Sequence, residues 1–281
     1  MNKIKLDPKS ALFLEWGSKF YKSEDLCKYL NHMDLSAAEE IKGEFNSICN
    51  FFDEAFINKE FLVENFIQKK LYETEQEHLI IVLAAGKSPL SLDLVQKYSE
   101  KINKVIEIDV SGMDEKKEIY YVHYPEFSDK IKCITADFTS TPILEFMNNL
   151  LNEYYKDLPC IILLEGVSFY LSKEDLEKII SSFKSKNQNN TFILEYLLPE
   201  EEISPERKEI PLKFLEKSNG NFSAKKADLI SKNALSQMMH KLDAKFVKKE
   251  NLANAEKQRT GENKYFPKPE DGWLECSVWQ I

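Results

Sequence analysis

Arginine is almost missing from this chain of 281 residues: only Arg207 and Arg259 occur, so lysine carries nearly all the positive charge. Because the guanidinium fork is the group suited to bidentate carboxylate and phosphate recognition, sites of that design have few candidates here. A net charge of −9 argues against a protein that tracks a phosphate backbone, whose affinity is built from clustered Lys and Arg. Cys27, Cys49, Cys133, Cys160 and Cys276 are odd in number and scattered, with no Cys-x-x-Cys pair, which fits a reduced compartment and supplies no zinc site. The four histidines, His32, His78, His123 and His240, show no ligand spacing, so no metal is expected. The first residues alternate charged and apolar types and lack a signal-peptide hydrophobic region. The longest uniformly apolar run, Leu79 to Ala85, is far too short to span a bilayer. The expectation is a cytoplasmic protein without membrane or nucleic-acid partners, and neither repeats nor low-complexity linkers break up the chain.

What is present reads as an ordinary globular protein, with 43% hydrophobic residues. Apolar positions between residues 10 and 75 fall at helical spacing, as in Phe20, Tyr21, Leu26, Tyr29 and Leu30, then Ile48, Phe51, Phe52 and Phe56. That spacing predicts three or more amphipathic helices, a helical cap over residues 1–77. From residue 78 short β-branched runs alternate with helical stretches. Strands are expected at 79–83, 104–109, 131–136, 160–164 and 191–194, with helices at 90–102, 141–155 and 173–183. The alternation implies an α/β fold with a doubly wound, mostly parallel sheet. A helical and loop insertion is expected around 200–243, with a helix over 227–242. Antiparallel C-terminal strands at 244–248 and 274–281 close the 78–281 core, and 249–272, which lacks periodicity, reads as a long loop.

In such sheets ligands bind outside the carboxyl ends of the strands. The first strand there runs into Ala84-Ala85-Gly86-Lys87-Ser88-Pro89, where Gly86 supplies positive φ or close backbone approach. Ser88 can cap the next helix and Pro89 can open it. The further glycines of a dinucleotide fingerprint are missing, which weakens the case for NAD. Asp109 ends the second strand at roughly the twenty-residue separation of a ribose-binding acid. Glu107 shares its face, and periodicity cannot separate the two. Asp137 and Phe138 end the third strand, where an acid and an aromatic ring suit an adenine. The buried run Cys160 to Leu164 leads straight into Glu165-Gly166, which places a carboxylate at the sheet's carboxyl edge. Ser172 and Asp175 then have the pattern of a helix start.

The segment Glu165-Gly166-Val167-Ser168-Phe169-Tyr170-Leu171 resembles the E-G-V-x-x-Y-L motif of the leucine carboxyl methyltransferase family, which includes bacterial O-methyltransferases of natural-product pathways. The Ala84-Ala85-Gly86 turn, Glu107-Ile108-Asp109 and Ala136-Asp137-Phe138 fit that family in order and spacing, so the resemblance covers roughly residues 78–196. It implies a class-I S-adenosylmethionine (SAM)-dependent methyltransferase fold, Rossmann-like in its layers, with SAM as cofactor and S-adenosylhomocysteine as product. Gly86 would approach the methionine moiety, Asp109 the ribose, Asp137 with Phe138 the adenine, and Glu165 the methionine ammonium. Two features depart from the family. Ala84 stands where the turn has its first glycine, with Ser88-Pro89 in place of the following Asp-Thr. The arginine that holds the cofactor carboxylate before the first strand is absent, which passes that role to a lysine such as Lys59, Lys69 or Lys70.

The expected reaction is methyl transfer to a small molecule or peptide, with O-methylation of a carboxylate or hydroxyl favoured, N-methylation as the alternative, and a catalytically silent SAM-fold binding protein as the reading from another class. A carboxylate acceptor needs no general base, whereas a hydroxyl or amine benefits from one. His123 and Tyr170 are the candidate acceptor-side groups, although a lone histidine among aromatics is more often structural. The aromatic N-terminal segment and the loop near Arg207 are expected to enclose the acceptor.

Overall fold

A computed structural model describes residues 3–153, 155, 157–184, 190–218 and 229–281. The N-terminal layer begins with β1 (Ile4–Lys5), α1 (Pro8–Ser18), α2 (Glu24–Leu30), β2 (Met33–Asp34), α3 (Glu39–Ile48) and α4 (Phe52–Leu71). Asp7 starts α1 by accepting from the Lys9 and Ser10 backbone N–H groups, while Ser23 does the same for α2 through Leu26 N–H. Strands β1 and β2 form a separate parallel pair.

The remaining elements are β3 (His78–Leu83), α5 (Leu90–Tyr98), β4 (Ile102–Asp109), α6 (Met113–His123), α7 (Pro125–Ser128), β5 (Ile131–Thr135), α8 (Thr141–Glu153) and β6 (Cys160–Leu164). They continue with α9 (Lys173–Ser182), β7 (Thr191–Leu197), α10 (Ile210–Ser218), α11 (Lys232–Lys241), β8 (Lys245–Asn251), α12 (Leu252–Thr260) and β9 (Leu274–Gln280). Seven strands make one sheet in the order β5-β4-β3-β6-β7-β9-β8. Neighbouring strands from β5 through β7 pair parallel, and β9 is antiparallel to both β7 and β8. Helices cover both faces, which is why β3 and β6 are buried at every position and read as unbroken apolar runs. The chain order reverses between β3 and β6, so the crevice of a doubly wound sheet opens at their carboxyl ends.

The expected doubly wound α/β sheet is therefore present, with each strand lying within a few residues of its predicted span. Part of the helix expected over 227–242 falls on residues outside those described; within the described residues α11 begins at Lys232 after its cap Ser231. The loop expected over 249–272 is a misreading. Strand β8 runs on to Asn251 and α12 follows it, capped by the Asn251 side chain. Its buried positions are Leu252, two alanines and Glu256, so no apolar stripe marks it in the sequence. Glu256 instead anchors the helix by accepting from the Tyr265 and Phe266 backbone N–H groups at 2.8–3.1 Å. Among the described residues no helix is long and apolar enough to cross a membrane.

Hydrophobic packing is continuous from the N-terminal layer into the sheet. Helix α4, 20 residues long, is central to that join. Its aromatic residues meet Trp16 and Phe13 of α1 and Phe214 of α10, with ring centroids 5.2–5.5 Å apart. Its polar residues Asn58, Lys59 and Glu60 are buried as well, an arrangement that a packing helix alone has no need of.

Candidate active site

At the carboxyl edge of β3 the backbone enters the left-handed region twice, at Ala84 (φ 58°) and Gly86 (φ 47°). A Cβ at Gly86 would meet nothing within 4 Å, so it is the backbone conformation that favours glycine there. Ala84 adopts the conformation without being glycine, at a cost of roughly 1–2 kcal/mol. The turn is held by Gly86 N–H, which donates to Asp109 Oδ2 at 2.9 Å, and by Ala85 N–H, which donates to the Ile108 carbonyl oxygen. Ser88 Oγ accepts from Leu90 N–H, and Pro89 directly precedes the first helical residue of α5.

A cavity of about 780 Å³ opens over this turn. Its floor is the 84–90 turn, Asp109, Glu165 to Val167 and Glu195; its roof is formed by α1 and α4. Helix α4 lowers Lys59 onto the floor, where its ammonium contacts Glu165 Oε1 and lies 3.2 Å from Glu60 Oε1. Tyr21 Oη donates to Glu60 Oε2 at 2.6 Å, and Gly166 N–H donates to Glu195 Oε2 at 2.6 Å. Three carboxylates thus gather around one ammonium in a largely buried place, since Lys59, Glu60 and Glu195 are each less than a tenth exposed.

The electrostatic consequence falls on the outer two acids. Burial pushes Glu60 up to about 7, with Lys59 opposing the rise and Glu165 adding to it. Glu195 is likewise raised to about 7 by burial, against the pull of Lys59 and with the push of Glu165. For Lys59 burial works downward, but the surrounding acids outweigh it and hold the ammonium well above its ordinary value. The site is short of positive charge.

Four of the residues expected from the sequence, Ala84, Gly86, Asp109 and Glu165, line this cavity. Others lie elsewhere. Glu107 is sealed behind the turn, paired with the fully buried Lys116 at 2.6 Å. Asp137 is exposed and folds back onto Thr139, accepting from its N–H at 2.9 Å and its hydroxyl at 2.7 Å, which holds its carboxyl below the usual range. Phe138 is packed into the core. Neither is part of the cavity lining.

His123 ends α6 on the outer surface, tilted against His32 with ring centroids 4.2 Å apart, and does not face the cavity. Tyr170 is 45% exposed and packs edge-on against Phe169, and it is Phe169 that lines the cavity. The loop near Arg207 is not an acceptor clamp. The guanidinium donates to the Tyr265 and Asp271 carbonyl oxygens and sits over the Phe51 and Phe266 rings, so it is spent on structure. Of the three candidate lysines only Lys59 reaches the site; Lys70 pairs with Glu73, and Lys69 lies near Lys248.

Sequence reasoning missed Glu195, Glu60 and Tyr21. The signal for Glu195 is a lone acid inside the apolar run Phe192 to Leu198, and for Glu60 it is a block of polar residues on a helix otherwise rich in phenylalanine. The far end of the cavity is aromatic. Phe13, Phe52, Phe56, Phe169, Phe214 and Trp273 line it, with Phe13 and Phe214 stacked at 5.3 Å and Phe52 edge-on to Trp273 at 5.7 Å. A polar, acid-rich end and an apolar, ring-lined end therefore share one chamber, a layout suited to two ligands meeting in the middle.

No family profile matches the chain, and no curated protein matches it in sequence. Solved structures do match in shape. A candidate methyltransferase of Thermobifida fusca superposes with a TM-score of 0.65 at 12% identity, over 98% of this chain and 95% of that one. A DUF574 family protein of Streptomyces avermitilis gives 0.57 at 11% identity, over 96% of each chain. A geranyl diphosphate methyltransferase solved in complex with SAM gives 0.50 at 12% identity, over 79% of this chain and 85% of that one. At these identities the likeness concerns the fold, and the fold is that of the class-I SAM-dependent methyltransferases.

Proposed function

We propose that the protein is a SAM-dependent methyltransferase acting on a small molecule. The observation that carries this reading is the Lys59–Glu165 pair at the switch point of the sheet. A lysine facing a glutamate is the complement of an α-amino-acid zwitterion: Lys59 would meet the cofactor carboxylate and Glu165 its ammonium. Lys59 would thereby stand in for the arginine that the family places before the first strand. Asp109, already accepting from Gly86 N–H, would accept from the ribose diol, and the methionine moiety would use the open space above the Gly86 Cα. The excess of carboxylates suits a ligand bearing an ammonium and a sulfonium together.

When bound, SAM supplies a methyl carbon already activated for in-line displacement. The chain's own work is alignment and exclusion of water, which the roof of α1 and α4 provides. The acceptor would occupy the aromatic end of the cavity. Transfer to oxygen is favoured by the resemblance in the Glu165 to Leu171 segment, with nitrogen as the alternative.

Calorimetric titration tests the cofactor reading. S-adenosylhomocysteine should bind in the micromolar range and NAD should not. Glu165→Gln should weaken S-adenosylhomocysteine roughly tenfold or more, a loss of at least about 1.4 kcal/mol, while the melting temperature holds. Asp109→Ala should cost about 1.5–3 kcal/mol of affinity. A Glu165→Gln protein with unchanged affinity and a lowered melting temperature would remove the residue from the site.

A further inference from the structure

The charges lining the cavity restrict the acceptor as well as the cofactor, an inference that rests on the methyltransferase reading above. Lys59 pairs with Glu60 and Glu165 and feels the charge of Glu195, so the cluster carries two negative charges in excess when all its acids are ionised. SAM brings a net charge of plus one: an ammonium and a sulfonium against one carboxylate. One negative charge is then left over, beside the aromatic chamber. Among the described residues no cation stands ready to receive an anionic acceptor. The other lysines on the lining are Lys5, at the exposed rim, and Lys87, which is bound to Glu115 at 2.7 Å and to the Gly112 carbonyl oxygen. Among the described residues seven acids and three lysines line the cavity. The two arginines, on which a carboxylate clamp would be built, are both committed elsewhere.

Glu195 is the acid at the boundary. On β7 it shares a face with Leu197, and both line the cavity, so the strand passes from the charged floor to the apolar end within two residues. Beyond it lie Trp273 and Leu274, with Phe214 and Phe169 completing that end. One oxygen of Glu195 is occupied by Gly166 N–H, which fixes the carboxylate at the sheet edge.

From this charge balance and this placement we infer that the acceptor is an aromatic-bodied alcohol, phenol or amine rather than a carboxylate, and that Glu195 takes the proton it gives up. In the transfer a bond forms between the acceptor oxygen or nitrogen and the methyl carbon. The methyl–sulfur bond breaks with its electron pair remaining on sulfur, and the acceptor proton moves to the Glu195 carboxylate. The proton taken up by Glu195 replaces the positive charge that the sulfonium loses, so cofactor, acceptor and cluster carry one net negative charge before and after transfer. A carboxylate acceptor would instead bring a second uncompensated negative charge into a buried place, which is costly. The raised position of Glu195, about 7, is the property of a base that works near neutral pH.

The test uses three probes with the same ring and different charge: 2-phenylethylamine, 2-phenylethanol and phenylacetate. S-adenosylhomocysteine is titrated first, alone; if it does not bind, the methyltransferase reading fails and the acceptor question falls with it. With S-adenosylhomocysteine bound and saturating, the amine and the alcohol are expected to bind at least about tenfold more tightly than phenylacetate. Glu195→Gln, measured at a saturating concentration for the variant, should collapse that ratio toward one, and Phe214→Ala should weaken all probes without changing it. With SAM in place of S-adenosylhomocysteine, Glu195→Gln should lower product formation from whichever probe turns over by about a hundredfold or more. Phenylacetate binding as tightly as the other two, no probe binding while S-adenosylhomocysteine does, or a preference that survives Glu195→Gln would each overturn the inference.

Discussion

Lys116 with Glu107 and Lys59 with Glu165 are both lysine–glutamate pairs beside the β3 turn, and they have opposite characters. The first is one-to-one: Lys116 comes from α6, Glu107 from β4, and both side chains are essentially inaccessible. Tyr120 packs near the ammonium, 6.0 Å from it to the ring centroid, and Cys133 Sγ lies 3.5 Å from the carboxylate, so the pair is enclosed. In the second, one ammonium pairs with two carboxylates and feels a third, and the group faces a cavity. A buried pair that balances its own charge can be closed over by the core, whereas one that does not must be completed from outside. Burial of charge by itself is therefore a poor mark of function in this molecule; the imbalance and the opening are what separate the two.

Breaking the balanced pair should have the largest effect, and on stability alone. Lys116→Met leaves Glu107 buried without a partner, which costs about 3–5 kcal/mol and lowers the melting temperature by roughly 10 °C in a chain of this size. Replacing both partners, Lys116→Met with Glu107→Leu, should recover most of that loss. S-adenosylhomocysteine affinity should stay within about twofold in the double variant. A tenfold loss of affinity there would make Glu107, not Asp109, the ribose acid and would dissolve the contrast between the pairs.

Removing one acid from the unbalanced cluster should do the reverse. An acid raised to about 7 in the folded protein binds its proton more tightly than the unfolded chain does, where it titrates near 4.5. Its contribution to stability is thus full below about 4.5 and lost as pH rises through about 7. Glu60→Gln removes that loss and keeps an oxygen for the Tyr21 hydroxyl. The variant should melt higher than the parent at pH 8 and no higher at pH 5. The comparison is made as a difference between the two proteins, because burial lowers His78 and so gives both the opposite slope at acid pH. A difference that does not grow with pH would mean the cluster is already neutral.

The smallest effect is expected at His123. Packed against His32 outside the cavity, it should tolerate His123→Ala with stability changed by no more than about 0.5 kcal/mol, as for surface positions in general, and with unchanged affinity for S-adenosylhomocysteine by calorimetry. Any loss of acceptor turnover in that variant would return it to the site.

The parts of the site legible in the sequence are those that a strand end positions by itself. Gly86, Asp109 and Glu165 each follow a buried β-branched or leucine-rich run, and a parallel strand delivers the residue after it to one known edge of the sheet. Ser172 was legible for a related reason, since capping is local: its hydroxyl accepts from Asp175 N–H at 3.1 Å. Helix α12 was not legible, because its buried face is alanine and a glutamate that bonds a distant loop. His123 and Tyr170 drew notice through their chemistry, but a side chain's type does not say which way its helix or turn faces.

Sequence alone determined the doubly wound sheet, the position of its crevice and the acids at its edge, because alternation and apolar runs are local consequences of burial. Tertiary structure decided the rest. Glu107 and Asp109 share a strand face, and only the arrival of Lys116 from α6 assigns one to the core and leaves the other to Gly86. Lys59 and Lys70 sit on one helix, separated by about 16 Å along its axis at 1.5 Å per residue, so only the packing of α4 over the sheet selects the first. Glu60 and Glu195 lie 135 residues apart in the chain. Their common ammonium, and the charge imbalance that makes the site, arise only when a helix from the first quarter of the protein is laid across the end of β7.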